Sequence, residues 1–245
     1  MSKVLKNIDT KRGFLYYSQK EKVMMSISNQ ILIITILICS IVLSFNYLYS
    51  PAEIEGVSML PTYNNAYVKN KNYKDIAYYT TSFSLNRGDV VIPDYKDDSG
   101  EKYLIKRLIA FGGDKVEFID YQLYVNGEKI NETYIESLDK NKLMINKFMI
   151  ATDIFGNVDL TTSPIAKWET ITLDTENISE KHISFTINDG YVFYLGDNRG
   201  KSYDCSSYGP QKEEIIVAKV VFVVPYGQDL VTTIWQEFLH KVFNY

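Results

Sequence analysis

Tyr103-Leu104-Ile105-Lys106-Arg107-Leu108-Ile109 is the stretch that decides the fold. With the two-residue period of a strand, Leu104, Lys106 and Leu108 share one face, while Tyr103, Ile105 and Arg107 point the other way. An inward-facing lysine between two leucines loses water, and burial lowers its pKa from about 10.4 by disfavouring the ammonium form. A drop of roughly 2–3 pKa units corresponds to about 3–4 kcal/mol. A core does not carry that penalty without a use, so Lys106 is a candidate base. The bland alternative is an edge strand with Lys106 in solvent and Arg107 turned inward.

Outward from this strand the pattern stays β. Strands are expected at Asp89–Ile92, Lys102–Ala110, Lys115–Ile119, Gln122–Val125, Tyr191–Leu195 and Glu214–Val224. Gly112-Gly113-Asp114 and Asn126-Gly127 punctuate them, and the second is a two-residue hairpin signal. The 20 tyrosines and 12 phenylalanines also favour strands, because flat rings pack well on a pleated surface. Residues 132–186 are polar, irregular and weakly periodic. They predict a lobe inserted into a β domain made of residues 50–131 and 187–228. In residues 229–245, Leu230, Ile234, Phe238 and Val242 recur at spacings of four beside Trp235 and Leu239, which predicts a short amphipathic helix. Such a stripe packs on the body or lies in a membrane interface; Gln236, Glu237, His240 and Lys241 argue against a second span.

Toward the N-terminus, Ile31–Tyr49 is apolar apart from Thr35, Ser40, Ser44 and Asn46. Helped by Ile27, it can just cross a hydrocarbon core of about 30 Å at 1.5 Å per residue. Tyr47 and Tyr49 at its outer end suit the headgroup belt. Residues 1–30 carry Lys3, Lys6, Lys11, Arg12, Lys20 and Lys22 against Asp9 and Glu21, and no Lys or Arg follows the run until Lys69. That asymmetry predicts a cytoplasmic N-terminus with residues 50–245 outside. A cleavable signal peptide fits less well, since the run exceeds the roughly 7–15 residues typical of one and no small-x-small site follows. The expected fold is mainly β: an N-terminal transmembrane helix, an extracytoplasmic antiparallel sheet domain with an irregular insert, and a terminal amphipathic helix.

Composition narrows the function. A chain of 245 residues, 46% hydrophobic and 23% charged, folds. A net charge of −4 argues against a nucleic-acid binder, which would show a basic stripe. Cys39 sits in the apolar run and Cys205 far down the chain, so a disulfide-stapled scaffold is excluded. With two cysteines and only His182 and His240, soft ligands are too few for zinc. Counting leaves a purely carboxylate site open, but no metal or cofactor is expected.

Just past the apolar run stands Gly56-Val57-Ser58-Met59-Leu60-Pro61-Thr62. Serine is a weak nucleophile until a neighbouring base takes its proton. The two histidines lie in the insert and the terminal helix, outside any motif, so the better partner for Ser58 is a desolvated lysine. Gly56 lets the backbone turn tightly and leaves room for a substrate carbonyl beside the Ser58 N–H. Pro61 fixes the chain and biases Leu60 toward an extended conformation. Nine residues separate Tyr49 from Ser58, so even an extended link spans only about 30 Å and keeps the serine near the membrane. A third motif, Gly196-Asp197-Asn198-Arg199-Gly200-Lys201-Ser202-Tyr203-Asp204, follows an apolar strand and is dense in hydrogen-bonding groups. Ser202 could hold a neutral amine in place.

Ser58-Met59-x-Pro61-Thr62, Arg87-Gly88-Asp89-Val90-Val91, Lys106-Arg107-x(5)-Gly113-Asp114 and Gly196-Asp197-Asn198-Arg199-x-x-Ser202-x-Asp204 occur in that order. The set resembles the bacterial type I signal peptidases, membrane-anchored serine proteases with a Ser-Lys dyad, and covers about residues 30–225. The resemblance implies Ser58 as nucleophile, Lys106 as general base and Ser202 as the group that orients the lysine. The Ser58 backbone N–H would contribute to the oxyanion hole. Gly56, Met59, Pro61, Arg107, Asp197, Arg199 and Asp204 would support the site. The substrates would be membrane-embedded preproteins with signal peptides, cut after small residues at the outer face of the bacterial cytoplasmic membrane. The Lys-Arg pair is that of the bacterial branch; relatives of the endoplasmic reticulum carry histidine at the lysine position.

The chain departs from the family in three places. Asp204-Cys205-Ser206 stands where Asp-Ser-Arg is common, so Asp204 needs another partner, with Lys201 and Arg199 as candidates. Gly56 replaces a serine whose hydroxyl serves the oxyanion hole in some relatives. Cys205 is expected to be a small inert residue near the site. These departures also support a rival reading, a non-catalytic, signal-peptidase-like assembly factor for surface fibres. Such a protein would be expected to lose the serine or the lysine, and both are present.

Overall fold

The structure is a computed structural model that describes residues 19–97, 100–137, 139–152, 158–179 and 181–243. The basic residues Lys3, Lys6, Lys11 and Arg12 lie outside them. Packing divides the chain after Leu48 into two compact units.

The first unit is helix α1, Gln19–Leu48. Its 26 residues from Val23 are long and apolar enough to cross a membrane, and it is consistent with a single-pass anchor. The apolar helix starts earlier than residue 31, because Val23, Met24, Met25 and Ile27 extend the run, and it ends one residue before Tyr49.

The second unit starts at Tyr49. Its strands are β1 (Ser50–Glu53), β2 (Ile76–Thr80), β3 (Val90–Asp97), β4 (Gly100–Tyr103), β5 (Lys106–Phe111), β6 (Lys115–Ile119), β7 (Gln122–Val125) and β8 (Glu128–Lys129). Helix α2 (Asp139–Ile145) precedes a small hairpin of β9 (Ala151–Thr152) and β10 (Val158–Asp159). There follow β11 (Ile171–Leu173), β12 (His182–Ile187), β13 (Tyr191–Leu195), helix α3 (Cys205–Tyr208), β14 (Gln211–Lys212), β15 (Ile216–Val224) and helix α4 (Leu230–Phe243). The larger sheet runs β1-β2-β15-β3-β5-β13-β14 with β4 paired to β3, and the second runs β11-β12-β6-β7-β8. Both are antiparallel, as the hairpin signals require. The Asn126-Gly127 turn takes positive φ at both residues between paired Val125 and Glu128.

Three expectations change in detail. The single strand Lys102–Ala110 is interrupted at Leu104-Ile105, between β4 and β5. The register does not slip, with Asp94 opposite Tyr103 and Val91 opposite Lys106. The gap faces Pro93, which has no N–H to give to the ladder. Second, the segment 132–186 is not irregular throughout. It supplies β11 and β12, and β12 pairs with β6 from before the expected insert. Third, the apolar stripe of α4 points away from the body: Ile234, Trp235 and Phe238 are exposed, whereas Thr233 is buried.

Two apolar clusters position the site. The larger joins both sheets to the 139–168 region through Leu108, Phe118, Phe148, Ile165, Phe185 and Phe193. The smaller, of Ile54, Met59, Ala77, Val90, Val220 and Val223, lies under the Ser58 turn and pins it through Met59, which is 2% exposed.

Candidate active site

Strand β5 presents Lys106, Leu108 and Ala110 to the interior, the face that the two-residue period assigns. Lys106 is 2% exposed, and its Nζ lies 3.0 Å from Ser58 Oγ and 2.9 Å from the carbonyl oxygen of Ile105. Burial pulls the Lys106 pKa down to about 8, against the opposing charges of Asp204 and Asp197. A buried amine in this range yields a sizeable neutral fraction near pH 7–8, which an exposed lysine never does.

Ser58 sits in a turn whose shape depends on Gly56, at φ +84°, where an L side chain would be strained. Asn64, itself left-handed at φ 67°, donates from Nδ2 to the carbonyls of Ile54 and Gly56, both at 2.9 Å. Asp75 accepts from the Asn64 N–H at 2.6 Å and donates its own N–H back to Asn64 Oδ1. Pro61 follows Leu60 in this turn through a cis bond, and Thr62 Oγ1 donates to Asp197 Oδ2.

The loop after β13 holds the other side. Asn198 donates its N–H to the Ser58 carbonyl at 2.9 Å and its side-chain amide to the Val57 carbonyl at 3.0 Å. Gly196 makes the approach possible: a Cβ there would fall 2.3 Å from Ser202 Oγ and 2.5 Å from the Ser58 carbonyl oxygen. Ser202 is thus brought against the Ser58 segment. Its Oγ is buried and, among the described residues, lacks a hydrogen-bond partner.

The surrounding polar groups fall into three buried sets. Arg107 grips Asp197 with two parallel bonds of 2.9 and 2.7 Å and lies 4.1 Å over the Tyr134 ring. Arg199, fully buried, pairs with Glu132 and Asn141 and donates to the Gly196 carbonyl at 3.1 Å. Asp204 accepts from the Gly196 N–H at 2.8 Å and from Ser206 through its N–H at 3.0 Å and its Oγ at 2.6 Å. Neither Lys201 nor Arg199 is its partner, contrary to expectation. Lys201 is exposed and Arg199 is committed to Glu132. Cys205 is fully buried and burial pushes its thiol well above the ordinary range, so it stays protonated.

Sequence reasoning missed Asn64, Asp75, Glu132, Tyr134, Asn141 and Lys147. Asn198 stood in a quoted motif but received no role. A cavity of about 230 Å³ opens beside Ser58 and Lys106, with apolar lining from Ala52, Ile54, Ala77, Ile92, Leu104 and Ile105.

Residues 27–225 match the family model described as signal peptidase, peptidase S26. Signal peptidase I V of Bacillus subtilis is 29% identical over 182 residues, 71% of this chain and 85% of the relative. Signal peptidase IB of Staphylococcus aureus is 31% identical over 176 residues, 72% of this chain and 78% of the relative. A solved signal peptidase I from Enterococcus faecalis, 23% identical, aligns over 57% of this chain and 98% of its own with a TM-score of 0.35. Most of the chain lies within the family model and the ordered motifs surround one buried lysine, so this chain belongs to the signal peptidase family, peptidase S26.

Proposed function

We propose that this chain is a serine endopeptidase that removes signal peptides from exported preproteins, with Ser58 as nucleophile and neutral Lys106 as general base. The observation that carries the reading is the 3.0 Å contact between Ser58 Oγ and the amine of a lysine that is 2% exposed. In the neutral form the amine lone pair faces the Ser58 hydroxyl and an N–H serves the Ile105 carbonyl, while Ser202 Oγ, unpartnered among the described residues, would need to close on the amine to orient it. Ser58 Oγ attacks the scissile carbonyl as its proton passes to Lys106 Nζ. The oxyanion that forms is met by the Ser58 N–H, with no side-chain hydroxyl from Gly56 to assist. Collapse of the intermediate sends the Lys106 proton to the departing amine and leaves an ester on Ser58. Water activated by the same lysine then hydrolyses that ester.

The cavity of about 230 Å³ beside the nucleophile is where the residues before the scissile bond would sit. A preference for small residues there is what the family likeness implies, since a space of that volume does not by itself exclude bulky side chains. Ile54, in the cavity lining, follows β1, which among the described residues pairs on one side only, with β2. Anchored by the apolar helix with the basic flank inside, the body would work at the outer face of the bacterial cytoplasmic membrane. The short link from Tyr49 to Ser58 suits a substrate whose own apolar segment is in the bilayer.

The test uses the full chain in detergent with a labelled preprotein. Cleavage at the signal-peptide junction is expected, and Ser58→Ala and Lys106→Ala should each abolish it. Near-normal turnover by folded Lys106→Ala would end the dyad. Absence of cleavage by the intact chain on every preprotein tried would favour the assembly-factor reading.

A further inference from the structure

We propose that Lys147, from the helical turn Asn146–Phe148, is a positioning residue for the reaction, holding Ser202 against the Ser58–Lys106 pair and offsetting the charge of Asp204. The inference rests on the dyad reading above. Lys147 Nζ donates to the Ser202 carbonyl at 2.7 Å and to Ser206 Oγ at 3.3 Å. Ser206 Oγ donates in turn to Asp204 Oδ1 at 2.6 Å.

Asp204 is fully buried, and its remaining partners are the main-chain N–H groups of Gly196 and Ser206. Those dipoles solvate the carboxylate but do not cancel its charge. Among the described residues, Lys147 is the cation that reaches it through one hydroxyl, that of Ser206. A buried carboxylate beside the base has a direct consequence: Asp204 heads the charges that favour the ammonium form of Lys106. A cation on its far side weakens that pull and keeps the amine available.

The same segment locks the loop mechanically. Leu143 Cδ1 comes within 3.0 Å of where a Gly200 Cβ would stand, so the loop and α2 are in close packing there. Glu132 and Asn141 take Arg199, and Lys147 takes Ser202 and Ser206. The loop is therefore tied to this region on both sides of the Ser202 hydroxyl. Lys147 itself is anchored by its neighbour Phe148, which is fully buried in the larger core.

The test compares kcat, KM and the pH profile of full-length Lys147→Met, Lys147→Arg and Lys106→Ala on one preprotein. Loss of a charge-assisted hydrogen bond predicts a fall of about tenfold in kcat for Lys147→Met with KM nearly unchanged. The acid limb should move to higher pH, because Asp204 then favours the Lys106 ammonium without opposition. Lys147→Arg should restore most of both. If Lys147→Met does not fold, Lys147→Gln is read by the same criteria, since it keeps a donor for the Ser202 carbonyl but not the charge. An unchanged kcat and acid limb in the folded neutral variant overturns the proposal. So does a loss of kcat with no movement of the limb and no rescue by arginine. Activity surviving in Lys106→Ala would instead refute the dyad reading, and the two failures are thus distinguishable.

Discussion

Gly196→Ala tests whether the loop geometry matters to the chemistry. The added Cβ would stand 2.3 Å from Ser202 Oγ, 2.5 Å from the Ser58 carbonyl oxygen and 2.6 Å from Ser202 Cβ. Ordinary contact for a Cβ lies near 3.4–4 Å. Each neighbour must therefore move by about 1 Å, and two of the three atoms cannot rotate away, being a main-chain oxygen and a Cβ. Overpacking of this kind costs about 1–3 kcal/mol of stability. A displacement of about 1 Å at the reacting atoms costs about 100-fold in rate. The expected outcome is a folded protein, slightly less stable, whose kcat/KM on a preprotein falls about 100-fold. Combining it with Ser202→Ala removes the closest clash but leaves those with the Ser58 carbonyl oxygen and Ser202 Cβ, and it takes away the hydroxyl proposed to orient the amine, so stability should recover in part and kcat/KM should not. A Gly196→Ala protein within threefold of the parent in kcat/KM would refute the reasoning.

Lys106→Met should abolish cleavage and raise stability together. The amine goes from 10.5 to about 8 on folding. Between those values the unfolded chain binds more protons, so the parent's stability rises with pH across that window and its full deficit applies below it. At pH 7 the methionine variant should gain about 3 kcal/mol in urea denaturation, a gain that shrinks as pH nears 10.5; equal stability of the two proteins contradicts this. Arg107→Met should destabilise by about 3–5 kcal/mol, since it strands the buried carboxylate of Asp197. Adding Asp197→Asn should recover part of that loss, because a neutral amide needs no counter-charge. A loss below about 1 kcal/mol in the single variant would show that the pair is solvated.

Much of the sheet domain was legible because its strands carry one buried face. Lys115–Ile119, Gln122–Val125 and Tyr191–Leu195 have the bounds that alternation and turn residues predict. Three of the strands that were not legible show why. In β1 a proline and a glutamate occupy an edge, where the pattern is weakest. The β2 sequence Ile76–Thr80 is too short and aromatic to show a period. In β12 buried Ser184 breaks the apolar sequence, since its hydroxyl finds carboxylates on Glu117 and Asp174. The site divides in the same way. Ser58, Lys106 and Ser202 come from motifs, whereas Asn64, Glu132, Asn141 and Lys147 matter through contacts 8 to 67 residues away that no local pattern encodes.

The central claim is that the Lys106 amine loses its proton far more readily than a lysine in water. Side-chain NMR of isotopically labelled lysine in the full chain, with the Lys106 signal assigned by its absence in Lys106→Met, measures this directly. A titration midpoint of about 8 is expected. A midpoint near the aqueous value of about 10.4 would contradict the account.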